Sequence, residues 1–86
     1  RNLMASVKPI AAYDEILSFL ASTPTPERII MFRPSETAQA RVRYLLDANR
    51  AGTITPAEQA ELDEFEHIEH LMRMLKIKAR EKLDAT

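Results

Sequence analysis

The stretch from residue 57 to residue 86 contains neither glycine nor proline, the two residues that disfavour a helix most strongly. Apolar residues recur within it at steps of three and four positions, which indicates an amphipathic helix. We therefore predict one long helix over residues 56–84. A helix of about 28 residues is roughly 42 Å long, so it dominates the architecture of so small a chain.

The junction before this helix carries the chain's single glycine, Gly52. A glycine just past a helix end easily takes the left-handed conformation that terminates the helix. Thr55, Pro56 and Glu58 then match a capping box, in which threonine caps the first turn and glutamate returns to the cap. Two helices joined by so short a link are expected to fold back as an antiparallel hairpin.

Three shorter helices are predicted before this junction, over residues 9–22, 26–32 and 35–50. Thr25 before Pro26 and Ser35 after Pro34 are good N-caps, and each proline interrupts the preceding segment. The short second helix is apolar and is expected to close one end of the core. The segments that flank Gly52 show no period-two alternation, so a β-hairpin is not expected there. The predicted fold is all-α, with three to four helices in a single domain over residues 1–86.

The long predicted helix has two apolar faces. Its broad face should pack on the first and third helices, through Leu62, Phe65, Ile68, Leu71, Met72, Leu75, Ala79 and Leu83. A second stripe lies on the side that this face leaves exposed, and its candidate interface residues are His67, His70, Leu71, Met74 and Ile77. The third helix is much shorter than the fourth, so the end from about residue 74 is expected to project without a partner in its own chain.

This projecting end and the second stripe predict a homodimer or docking of another protein. The alternative is that the stripe is ordinary surface apolarity, or that the first helix covers part of it. The sequence offers little chemistry beyond this surface. One glycine is too few for a phosphate loop, and serines and threonines lie mainly at helix caps. We therefore predict a non-enzymatic protein without a cofactor.

Composition limits the remaining classes of function. The chain has no cysteine, which excludes disulfides and thiolate metal sites. Its formal net charge is −1, which argues against the broad positive field of a nucleic-acid-binding protein. No apolar run is long enough to span a bilayer and the first residues lack a signal-peptide pattern, so we expect a cytoplasmic protein without membrane contact.

Two histidines are the weak candidates for metal ligands. His67 and His70 are three residues apart on one predicted helix, and Glu64 precedes His67 by three. A di-iron site would need further carboxylates on facing helices, where only scattered ones occur. We interpret both histidines as surface or interface residues. Within an interface, their change of charge near pH 6–7 would make association sensitive to pH.

A nucleic-acid-binding regulator is the alternative function. Its basic patch would combine cationic residues around the third helix with one aromatic side chain, namely Lys8, Arg33, Arg41, Arg43 and Tyr44. The negative charge of Glu36 would offset part of the positive charge of this patch. The third helix also lacks the residue pattern typical of a recognition helix. A solvated helix face is the simpler interpretation.

The junction and the long helix resemble a set of short, mostly uncharacterised bacterial proteins. The motifs that carry it lie in Arg41–Arg50, Ala51–Leu62 and Glu69–Arg73, and the resemblance extends over about residues 13–83, including Phe32–Ser35. These segments follow the pattern L-L-x-x-N-R-x-G-x-L-T-P-E-E-x-x-E-L, continuing to E-H-L-M and a basic end. Ile54 and Ala57 depart mildly from it. Some of these proteins are similar to antitoxins encoded beside a toxin or nuclease gene, so the resemblance implies a protein that restrains such a partner. It supplies no catalytic residues.

Overall fold

The computed structural model describes residues 11–85, and this part of the chain is helical without any strand. Four helices follow one another: α1 (Ala11–Ala21), α2 (Pro26–Met31), α3 (Glu36–Ala51) and α4 (Pro56–Asp84). The predicted all-α fold with a long C-terminal helix is therefore confirmed. Residues 9 and 10, with which the first helix was predicted to begin, lie outside the described residues. Among the described helices, none combines the length and apolar character that a membrane crossing requires.

Side-chain caps determine where the last three helices begin. Thr25, Ser35 and Thr55 are each extended, and each side-chain oxygen accepts a hydrogen bond from the backbone N–H three residues later. The Thr55 N–H in turn donates to the Glu58 carboxylate at 3.0 Å, which completes the capping box. Since Ser35 is a cap, α3 begins one residue after the predicted start.

Gly52 ends α3 and reverses the chain direction. Its φ of 76° is left-handed, and the N–H of Thr53 donates to the carbonyl of Ala48 at 2.9 Å across the turn. After the reversal, the Tyr44 hydroxyl of α3 donates to Glu58 of α4 at 2.9 Å. Farther from the turn, Arg41 of α3 donates to Glu61 of α4. The α3–α4 pair is therefore an antiparallel hairpin.

The core lies where α1, α2 and α3 pack on α4. The largest fully buried side chains are Leu45 on α3 and Leu62 on α4. A neighbouring cluster joins Ile16 of α1 to Ile68 and Met72 of α4. Half-buried apolar residues of α1, α2 and α4, together with Phe32 just after α2, surround this cluster: Tyr13, Phe19, Leu20, Ile29, Phe32 and Leu75. All three preceding helices thus place apolar side chains against one face of α4.

The second half of α4 does not project from the domain, so that prediction is wrong. The short helix α2 packs against α4, and Lys76 Nζ donates to the carbonyl oxygen of Phe32 at 2.9 Å. Ala79 is only 4% exposed and Leu83 is half-buried. The physical reason is that α2 packs on α4 and brings apolar Ile29 onto the cluster that contains Ile68 and Met72, so the second half of the long helix has contacts within its own chain. An unpartnered overhang is therefore no argument for an interface.

Candidate interaction surface on the long helix

The helix α4 presents an exposed stripe that its own domain does not cover. The stripe consists of His67, His70, Leu71, Met74 and Ile77, and we call it the α4 stripe. All five residues are exposed, and the three apolar ones keep 47%, 42% and 49% of their surface accessible. Three large apolar side chains on successive turns form the kind of exposed patch that marks protein interaction sites.

The stripe lies nearly opposite the buried face of α4. With about 100° between successive residues of a helix, its centre is roughly 165° around the axis from the centre of the buried positions. Those buried positions are Leu62, Ile68, Met72 and Ala79. Leu71, which sequence periodicity also assigned to the buried face, belongs to the exposed side instead. The stripe can therefore be occupied without disturbing the core.

Four residues of the stripe are spaced like the line of contact between two paired helices, and we call this line the seam. His67, His70, Met74 and Ile77 follow one another at steps of three, four and three residues. Alternating steps of three and four keep side chains on one narrow line, as the a and d positions of a coiled coil do. The stripe thus has both the exposure and the register needed to pack against another helix.

Charged residues flank the stripe, and their sign changes along it. Glu64 and Glu66 precede the stripe's centre, whereas Lys78 and Arg80 follow it, and all four are exposed. Glu64, Glu66 and Arg80 form no ion pair with another residue of 11–85. Lys78 makes only a long contact of 3.5 Å to Glu81, with both side chains largely exposed. One end of the surface is therefore acidic and the other basic.

The two histidines contribute to this surface without a third ligand nearby. Within residues 11–85, no three His, Cys, Asp or Glu side chains come together in a way that could hold a metal ion. Protein zinc sites ordinarily use three or four protein ligands, so two exposed imidazoles on one helix are a poor site. His67 and His70 are more simply members of the α4 stripe.

Arg41, one of the arginines in the predicted basic patch, is already paired within the chain. The guanidinium of Arg41 donates two hydrogen bonds of 2.9 Å to Glu61, and it lies 5.0 Å from the centre of the Tyr44 ring. The bond to Glu61 raises the pKa of Arg41 above its ordinary value. Lys8, another member of the predicted patch, lies outside the described residues. The chain's own carboxylate thus engages Arg41, whereas the exposed side chains of Arg33 and Arg43 form no ion pair within residues 11–85.

Stability is expected to fall in acid partly through Glu58. Hydrogen bonds from the Thr55 backbone N–H and then from the Tyr44 hydroxyl lower the pKa of Glu58. Because the folded pKa lies below the unfolded one, near 4.5, this stabilisation is present above the unfolded pKa. It is lost as the pH falls through the folded pKa.

Thermal melts of Glu58→Gln between about pH 6 and pH 3 test this dependence, since glutamine cannot gain a proton there. The variant should lose less stability across this range than the parent protein. Glu27→Gln is the control, because the exposed side chain of Glu27 makes no hydrogen bond or ion pair with another described residue. Parallel pH profiles for the parent and Glu58→Gln would contradict the assignment.

A cleft of about 400 Å³ opens between α1, α3 and α4. Apolar side chains, including Ile16, Val42 and Phe65, form much of its wall. Three cationic side chains also line it: Arg43, Arg73 and Lys76. Two of the cations already have partners, since Arg73 pairs with Glu69 and Lys76 binds a backbone carbonyl. Arg43 is thus the one cation of the cleft without a partner among the described residues, and the α4 stripe, with its three exposed apolar side chains, is the stronger candidate.

Comparisons of the chain with known protein families, curated proteins and solved structures return no match. The resemblance to short antitoxin-like proteins of bacteria accordingly stays a prediction.

Proposed function

We propose that this protein is a non-enzymatic interaction module that docks another protein chain on the α4 stripe. The observation that carries the proposal is the exposure of Leu71, Met74 and Ile77 on a helix whose opposite face is already buried. None of these three side chains belongs to the buried core, and covering them would remove apolar surface from water, which is favourable.

The resemblance to antitoxin-like proteins supports a more specific form of this proposal. In that form the protein self-associates in the bacterial cytoplasm and restrains a toxin or nuclease partner. The position of the gene is the simplest check, since a neighbouring toxin or nuclease gene in many genomes would support the role. A solitary locus in those genomes would remove most of this argument.

Substitution within the stripe tests the docking surface. Ile77→Glu places a charge in the apolar seam and is expected to weaken association at least about tenfold, because a buried unpaired charge is costly. Sedimentation equilibrium measures the self-association constant, and native mass spectrometry of the complex purified from cells measures partner binding. The stability of the monomer should change little, since this side chain is 49% exposed.

The matched control is Leu17→Glu, which introduces the same charge at a 46% exposed apolar position on α1. This variant should associate as the parent protein does. The proposal is wrong if the parent protein is monomeric and no stoichiometric protein partner accompanies it from cells. Equal weakening by both variants would also contradict it, because the stripe would then have no special role.

A further inference from the structure

The pattern of charge along α4 points to one occupant of the stripe. We propose that a second copy of the chain pairs with it through α4 in antiparallel orientation, about a two-fold axis level with Met72. This inference rests on the proposed function, because it names the partner and the orientation for the same surface.

The spacing of the seam determines which residues meet in such a pair. In an antiparallel coiled coil, a positions face d positions of the other helix. His67 then lies opposite the partner's Ile77, and His70 lies opposite the partner's Met74. Leu71 meets the partner's Leu71 beside the axis. Each histidine therefore faces an apolar side chain, and no histidine faces another.

Flanking charges distinguish this orientation from the parallel one. In the antiparallel pair, Glu64 lies near the partner's Lys78 and Glu66 lies near the partner's Arg80. The two-fold axis repeats both contacts, so the seam is flanked by four pairs of opposite charge. Charges in these flanking positions select partner and orientation in coiled coils.

The parallel pair has the opposite electrostatics. It lays the acidic end of α4 on the partner's acidic end and the basic end on the partner's basic end. Arg73 does not distinguish the two orientations, because it faces the partner's Lys78 in the parallel pair and the partner's Arg73 in the antiparallel one, and Glu69 of its own chain pairs with it in both. Like charges placed across an interface oppose association, so the antiparallel arrangement is favoured.

The fold leaves room for this arrangement. All positions of the seam and its four flanking charges are exposed. The helices α1, α2 and α3 occupy the other side of α4, where the buried residues lie. A second α4 can therefore approach along the stripe while the core of each subunit stays intact.

A charge-swap experiment tests the pairing. One variant carries Glu64→Lys with Glu66→Lys, and the other carries Lys78→Glu with Arg80→Glu. Each variant alone would set four like-charge pairs in its own dimer, and its self-association is expected to weaken about tenfold or more at low salt. An equimolar mixture restores four opposite-charge pairs, so a heterodimer of near-parent affinity should form.

Sedimentation with one variant fluorescently labelled measures the heterodimer. The control is Asp47→Lys with Arg50→Glu, which inverts an exposed ion pair on α3 and should leave self-association unchanged. Failure of the mixture to recover affinity, or full self-association of each variant alone, would overturn the antiparallel pairing.

Cysteine cross-linking gives an independent readout, since the chain has no cysteine of its own. Ile77→Cys alone should not cross-link, because the two sites would stand about 15 Å apart along the axis. Mixed with His67→Cys, it should form a cross-linked dimer. Self-cross-linking of Ile77→Cys would indicate a parallel pair and overturn this inference.

The two proposals fail in different ways. A parallel dimer, or a monomer that binds a different protein through the stripe, overturns the antiparallel pairing and leaves the proposed function standing. A monomer that binds no protein at all overturns both.

Discussion

Leu45→Ala is expected to lower the free energy of unfolding by about 3 kcal/mol, a large share of the total stability of so small a domain. Leu45 has no solvent exposure, and with Leu62 it is one of the two largest fully buried side chains. Truncation removes buried apolar surface and leaves a cavity that the surrounding helices can fill only in part.

Urea denaturation measures this change, and the neighbouring residue supplies a matched control. Leu46→Ala makes the same chemical change on the same helix at a position that is 38% exposed. It is expected to cost less than about 1 kcal/mol. Because the two variants share any effect on helix propensity, the difference between them isolates burial. Equal losses for both would mean that α3 does not face α4 as described.

Gly52→Val is expected to cost about 2 kcal/mol of unfolding free energy. Gly52 has a left-handed φ of 76°, which a β-branched residue strongly disfavours. A Cβ at this position would meet no atom within 4 Å. The cost therefore comes from the backbone conformation of residue 52 and not from a clash with another part of the fold.

Two control substitutions test whether the left-handed conformation of residue 52 is the cause of this loss. Gly52→Asn should cost clearly less than valine, since asparagine tolerates the left-handed region better. Ala51→Val adds the same branched side chain one residue earlier, within the helix, and should cost less than about 1 kcal/mol. An unchanged melting temperature for Gly52→Val would show that the turn does not need a left-handed residue.

The exposed stripe could be located from sequence periodicity, but its accessibility could not. Steps of three and four place His67, Met74 and Ile77 on a line of their own, whatever the rest of the chain does. Leu71 falls between the two faces of α4, and only packing decides that it stays 47% exposed. Leu17 of α1 is likewise an apolar residue on a packed helix, and packing leaves it 46% exposed.

Contacts between residues that are distant in the sequence could not be predicted from local sequence patterns. Glu15 of α1 accepts hydrogen bonds from both the N–H and the hydroxyl of Ser35, at 2.7 and 2.6 Å, and so ties α1 to the start of α3. Periodicity reports which face of a helix is apolar, but it carries no information about which polar side chains meet across helices.

The sequence by itself determined the helices and where they begin and end. Thr25, Ser35 and Thr55 cap helices through bonds to residues three positions away, and Gly52 ends one through its own backbone freedom. Such interactions are local, so they can be inferred from residues that are close together in the sequence. Only the tertiary structure decided what covers the end of α4. The contact between Phe32 and Lys76 spans 44 positions, and it depends on the direction that α2 takes on packing against the core.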